Sequence, residues 1–151
     1  MNTRARMSRS LQLLLLLFTS STALAQEQAS VVRVNDAGIE WGACPAPLPQ
    51  GCALAVLHGD PAKPNADVFL RIPGRSRIPL HTHTSPERMV LVEGKLSVTY
   101  EGQKMAVLLP GSYAYGPAGK PHSAACMSDK PCVLFIAFES PVDIKAVPKR
   151  E

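Results

Sequence analysis

From residue 53 onward, apolar positions come in short runs broken by Gly, Pro and charged residues. Residues 53–57, 67–72, 88–92, 95–100, 105–109, 112–115 and 133–138 each read as a strand: the runs are bounded by turn formers and are too short for helices. Lys95-Leu96-Ser97-Val98-Thr99-Tyr100 alternates polar and apolar side chains, which predicts a strand with one wet face. Glu93-Gly94 and Glu101-Gly102, on either side of it, predict hairpin reversals. Pro110-Gly111 and Gly116-Pro117 mark further turns. No segment after residue 25 carries the repeat of an amphipathic helix. Many short strands with frequent turns predict an all-β sandwich or barrel, and 151 residues suit a single domain.

The first 25 residues follow another pattern. Arg4, Arg6 and Arg9 precede an apolar run over 11–18 that only Gln12 interrupts, and Ala23-Leu24-Ala25 follows. This order predicts a secretory signal peptide over 1–25, cut before Gln26. The run is shorter than the ~20 residues that span a bilayer. Gln26 is not the cysteine of a lipoprotein, and the arginines are not paired as in a twin-arginine signal. The expected organisation is therefore a signal peptide, an N-terminal arm over 26–52, a barrel domain over 53–145 and a tail over 146–151. The expected location is periplasmic or secreted. Trp41, in the arm, is expected to cover an apolar surface.

Export changes the reading of charge and cysteines. The whole chain has 16 Lys+Arg against 12 Asp+Glu. The leader holds three arginines and no acids, which leaves 13 against 12 in the mature chain. No basic stripe remains, so a nucleic-acid partner is not expected, nor a membrane partner once the leader is cut. Cys44, Cys52, Cys126 and Cys132 form an even set, which predicts disulfides in an oxidising compartment. Of three formal pairings the local one, Cys44–Cys52 and Cys126–Cys132, fits best, because each pair brackets a turn-rich segment.

The candidate chemistry lies in the histidines. His81-Thr82-His83 places two imidazoles one residue apart, and on a strand both would face the same side. Glu87 follows at the start of the next strand, and His122 comes after a Pro/Gly-rich turn. Neutral nitrogens with one carboxylate suit a divalent Mn, Fe, Co, Ni, Cu or Zn ion.

These residues resemble a known pair of motifs. His81-x-His83-x3-Glu87-x6-Gly94 is similar to the first cupin motif, and Gly111-x5-Pro117-x-Gly119-x2-His122 to the second. The resemblance implies a cupin jelly-roll β-barrel over roughly residues 53–140. It also implies one metal ion held by His81, His83, Glu87 and His122, with Glu87 as the residue that would double as a catalytic base. Two departures stand out. Six residues separate Gly74 from His81 where the family has five, and Cys126 stands where the second motif often has asparagine. Met89 and Leu91 share the parity of Glu87 and should face the interior. Tyr113 and Tyr115 would orient a ligand, or pack the barrel, if their shared face is inward. Arg75 and Arg77 would meet an acidic substrate if they reach the mouth. His58 reads as a surface histidine.

The function expected is that of a metal-dependent enzyme on a small molecule, of oxygenase, isomerase or lyase type. The alternatives are a non-catalytic metal and small-ligand binding or sensing protein, and a metal-free storage or scaffolding role. Unpaired edge strands make a homodimer a further expectation.

Overall fold

The computed structural model describes residues 27–148. The signal-peptide reading of 1–25, and the last three residues of the expected tail (149–151), lie outside them. The architecture is that of the compact unit Val31–Glu151. Its strands are β1 (Gly42–Ala43), β2 (Ala53–His58), β3 (Ala66–Ile72), β4 (Arg77–Thr82), β5 (Glu87–Glu93), β6 (Leu96–Tyr100), β7 (Ala106–Leu108), β8 (Tyr113–Gly116), β9 (His122–Cys126), β10 (Cys132–Phe138) and β11 (Lys145–Ala146). No helix occurs among the described residues.

Two antiparallel sheets form, in the orders β1-β2-β3-β10-β5-β8 and β11-β4-β9-β6-β7. They enclose one core in the manner of the expected jelly roll, although the hydrogen bonding does not close into a single ring. Alternation sorts the side chains. Val68, Leu70 and Ile72 on β3 meet Leu134, Ile136 and Phe138 on β10 in the core, with Met89 and Leu91 on β5, as their parity predicts. Leu96, Val98 and Tyr100 on β6 close the core from the other sheet. The opposite face of β3 and β10 carries Phe69 and Val133, with Phe135 packed beside them, and the arm covers these with Val34, Ile39 and Trp41. Trp41 stacks on Phe69 at 6.4 Å between ring centroids, and the Arg71 guanidinium lies 3.7 Å over the Trp41 ring. The expected role of Trp41 is thus the one observed.

The seven predicted strands all form, with no end moved by more than one residue. Four more lie outside those seven: the two-residue β1 and β11, and the longer β4 and β9. β4 contains Pro79, which argues against a strand, and β9 is built largely of small residues without β-branching. Glu93-Gly94 does not close a hairpin. It carries the chain from β5 in one sheet to β6 in the other, whereas β6 and β7 do pair across the segment after Glu101-Gly102. Gly94 has φ 90°, and a Cβ there would meet Cys132 Sγ at 2.8 Å, so this turn packs against the start of β10. Both local disulfides are present, Cys44–Cys52 and Cys126–Cys132.

Candidate metal centre

The four candidate ligands meet at one end of the core. His81 lies near the end of β4 and is 3% exposed; its register partner is His122, the first residue of β9. The β4–β9 pairing shifts register between Ile78 and His81, so β4 uses one residue more than β9 there. This bulge turns both Ile78 and His81 inward despite their odd separation. It also accommodates the additional residue between Gly74 and His81. His83 follows β4. Glu87 opens β5 at 2% exposed, opposite Gly116 and Phe138. Ser85, fully buried, accepts the amides of Glu139 and Ser140, each at 2.9 Å. It thereby ties the approach to Glu87 onto the end of β10.

Each imidazole is held by its Nδ1. His81 Nδ1 donates to the Pro79 carbonyl at 2.7 Å, His122 Nδ1 to the Lys120 carbonyl at 3.0 Å, and His83 Nδ1 to the Asp143 carbonyl. A carbonyl only accepts, so the proton of each neutral ring sits on Nδ1 and the Nε2 lone pair is left for another partner. Ligand nitrogens of the three rings lie within 4.8 Å of one another, a spacing that could hold a metal ion. The Glu87 carboxylate joins them: Oε1 is 3.0 Å from His122 Nε2 and Oε2 is 3.5 Å from His83 Nε2. Yet Oε1 is buried without a hydrogen-bond partner.

The electrostatics follow from this crowding. Burial, then the charge on His122, push the His81 pKa down to about 4. Burial also lowers that of His122, but the Glu87 carboxylate outweighs it and the net shift is upward. For Glu87, burial favours the neutral acid, but His122 and the charges on His83 and His81 prevail, so it is held below the usual carboxylate range. Without a cation the carboxylate is thus drawn toward its charged form by the imidazoles around it, while burial holds His81 toward its neutral form. A carboxylate oxygen lacking a donor and convergent Nε2 atoms form a donor set that fits a divalent ion.

Three contributors carry no sequence signal of their own. Asp143 orients His83 through its carbonyl, while its carboxylate accepts the Thr84 amide at 2.7 Å and the Thr84 hydroxyl. Gly116 leaves the space that the Glu87 carboxylate fills. Tyr100, on the inward parity of β6 and in register with His122, has its ring 5.1 Å from the imidazole. Its hydroxyl is buried without a partner, and burial, then Glu87, raise its pKa. The weaker sequence candidates lie elsewhere. Tyr113 and Tyr115 are 60% and 52% exposed and face outward, because Ala114 takes the inward position between them. They neither orient a ligand in the cavity nor pack the core. Arg75 pairs with Asp129 at 2.7 Å on the surface, and Arg77 is exposed. His58 is exposed, as expected.

A cavity of about 100 Å³ runs from the cluster into the core. Val142, Asp143 and Ile144 line it beside His83, and Pro45 and Leu48 close it with the loop that Cys44–Cys52 clips.

Comparisons with known proteins agree on the fold. A family model described as the cupin domain matches residues 68–138. Among solved structures, the polyketide cyclase RemF from Streptomyces resistomycificus is 17% identical with a TM-score of 0.64, over 81% of this chain and 89% of that one. An RmlC-like cupin from Shewanella frigidimarina NCIMB 400 is 21% identical with a TM-score of 0.57, over 70% of this chain and 86% of that one. The DMSP lyase DddQ from Ruegeria pomeroyi DSS-3 is 20% identical with a TM-score of 0.58, over 70% of this chain and 58% of the lyase. This chain thus spans little more than half of the lyase's length. No curated protein matches the sequence.

Proposed function

We propose that this chain, a member of the cupin superfamily, is an exported mononuclear metal protein acting as an enzyme on a small molecule, of oxygenase, isomerase or lyase type. The observation that carries the reading is three imidazoles, each fixed by a backbone carbonyl, converging with a buried carboxylate that has no donor of its own. His81, His83, Glu87 and His122 would hold one divalent Mn, Fe, Co, Ni, Cu or Zn ion. Such an ion, when bound, supplies Lewis-acid chemistry or, if redox-active, oxygen chemistry. The chain's own residues do the rest. Pro79, Lys120 and Asp143 fix the tautomers, apolar side chains line the space beside them, and Glu87 is the group beside a bound molecule that can accept a proton. Two disulfides and the signal-peptide reading of residues 1–25 support export to the periplasm or beyond. Arm, barrel and tail are assigned to 26–52, 53–145 and 146–151. Fold alone does not carry the activity.

One observation favours the non-catalytic binding reading. Among the described residues, the one ionisable side chain lining the cavity besides the candidate ligands is Asp143, whose carboxylate is engaged by Thr84 and Lys145. No separate acid or base stands ready. Metal analysis of the purified protein and of a His83→Ala, His122→Ala variant tests the centre. About one equivalent of a transition metal per chain, lost in the variant, is the expected result. A parent that holds none and takes up none on reconstitution overturns the reading. Turnover of small carbonyl or phenolic compounds by the loaded protein separates the enzyme from the binder.

A further inference from the structure

The walls of the cavity select its occupant. Val68, Leu70, Ile136 and Phe138 from one sheet face Ile78 and Val98 from the other. Among the described residues, the polar side chains that line it are His81, His83, Glu87, His122 and Asp143, with no Lys, Arg, Ser, Thr, Asn or Gln. Four of the five are the candidate ligands. Away from that end no lining side chain of the described residues offers a charge or a hydrogen bond.

Resting on the metal reading above, we propose that the cavity takes a small monoanion with one oxygen-donor head and an apolar body, of the class of short branched carboxylates. The head belongs at the histidine end. A dication held by one carboxylate and neutral imidazoles has one positive charge left over, which a single negative head neutralises. The body belongs along the aliphatic walls. Size sets the rest: about 100 Å³ is less than the ~150 Å³ of an engineered apolar cavity that accepts benzene. The occupant therefore has about four to six heavy atoms. A second polar group on it would be stranded against Val68 and Ile136, which weakens binding about 10- to 100-fold. Amino acids, sugars and phosphate esters are excluded on this ground.

The test compares two molecules of one shape. Isobutyrate and alanine differ by a methyl group in place of an ammonium. Calorimetric titration of the zinc-loaded protein should show isobutyrate binding at least tenfold more tightly than alanine. Alanine bound equally well or better overturns the proposal while leaving the metal centre standing. Failure to take up zinc is a different result and overturns both. A second measurement leaves the metal out. Xenon should bind the metal-free protein, read as a shifted ¹²⁹Xe resonance, and Ala124→Leu should abolish that signal, because Ala124 lines the cavity on the strand that starts at His122. No bound xenon in the parent, or unchanged binding in a folded Ala124→Leu protein, removes the apolar chamber and the proposal with it.

Discussion

Gly116→Ala tests whether the Glu87 carboxylate is placed by space alone. Gly116 ends β8 opposite Glu87, and its backbone lies outside the left-handed region, so the effect of a methyl group is steric. An added Cβ would stand 3.0 Å from both Glu87 Cγ and Oε1, and 3.3 Å from Tyr100 Cε1. Ordinary carbon contacts lie at about 3.5–4.0 Å. The carboxylate must therefore give way by roughly half an ångström. It cannot retreat directly, since Oε1 already stands 3.0 Å from His122 Nε2. It must turn. Metal–oxygen bonds of about 2.0–2.2 Å tolerate little displacement of this kind. Disturbing what supports a ligand costs about 10- to 100-fold in metal affinity, or about 1.4–2.8 kcal/mol. Overpacking costs the fold itself about 1–3 kcal/mol. Competition against a chromophoric chelator measures the zinc affinity, and urea unfolding of the metal-free variant measures the second cost. Zinc affinity within twofold of the parent, in a variant that folds, would refute the placement of Glu87 in the donor set.

Two further outcomes follow from residues outside the donor set. Cys126 and Cys132 bridge the end of the core opposite to His122 and Phe138, so a Cys126→Ala, Cys132→Ala variant should lose about 2 kcal/mol by urea midpoint with zinc affinity unchanged. Asp143→Ala removes both acceptors of Thr84 and loosens the carbonyl that orients His83. Zinc affinity should fall about tenfold. Burial raises the Asp143 pKa, but the Thr84 hydroxyl and amide, with Lys145, outweigh it and hold it low. A depressed pKa stabilises the fold fully above the ordinary aspartate value and progressively less as pH falls through the lowered one. The gap in melting temperature between parent and variant should therefore be constant near neutrality and close below about pH 4.

How much of this was legible in the sequence depended on whether a feature is local. β3, β5 and β10 announce themselves through runs of Val, Leu, Ile and Phe, and the cysteine pairs through the turns they bracket. The ligands were legible from the spacing of the histidine pair and Glu87 and from the two motifs they resemble, although His83 follows β4 and does not lie on it. β4 and β9 were not, although they carry two of the histidines. Pro79 interrupts one, and the small residues of the other look like a loop until β4 and β6 pair on either side of it. Tyr113 and Tyr115 show the limit of parity arguments. Alternation puts two residues on one face but does not say which face is inward; the burial of Ala114 decides that.

Asp143 and Gly116 mark what register adds. Nothing in Pro141-Val142-Asp143, and nothing at Gly116 itself, signals a metal centre. Asp143 matters because β11 docks on the end of β4, which brings the preceding carbonyl over His83. Gly116 matters because β8 aligns with β5 at Glu87. The bulge at Pro79-Leu80 belongs with them. A strand in unbroken register would place Ile78 and His81 on opposite faces, so either the core would lose an isoleucine or the centre an imidazole. Proline, which has no amide to offer the ladder, sits in that irregular stretch, and its carbonyl is the one that accepts the His81 Nδ1 proton. The extra residue before the histidine pair is thus part of how His81 is aimed.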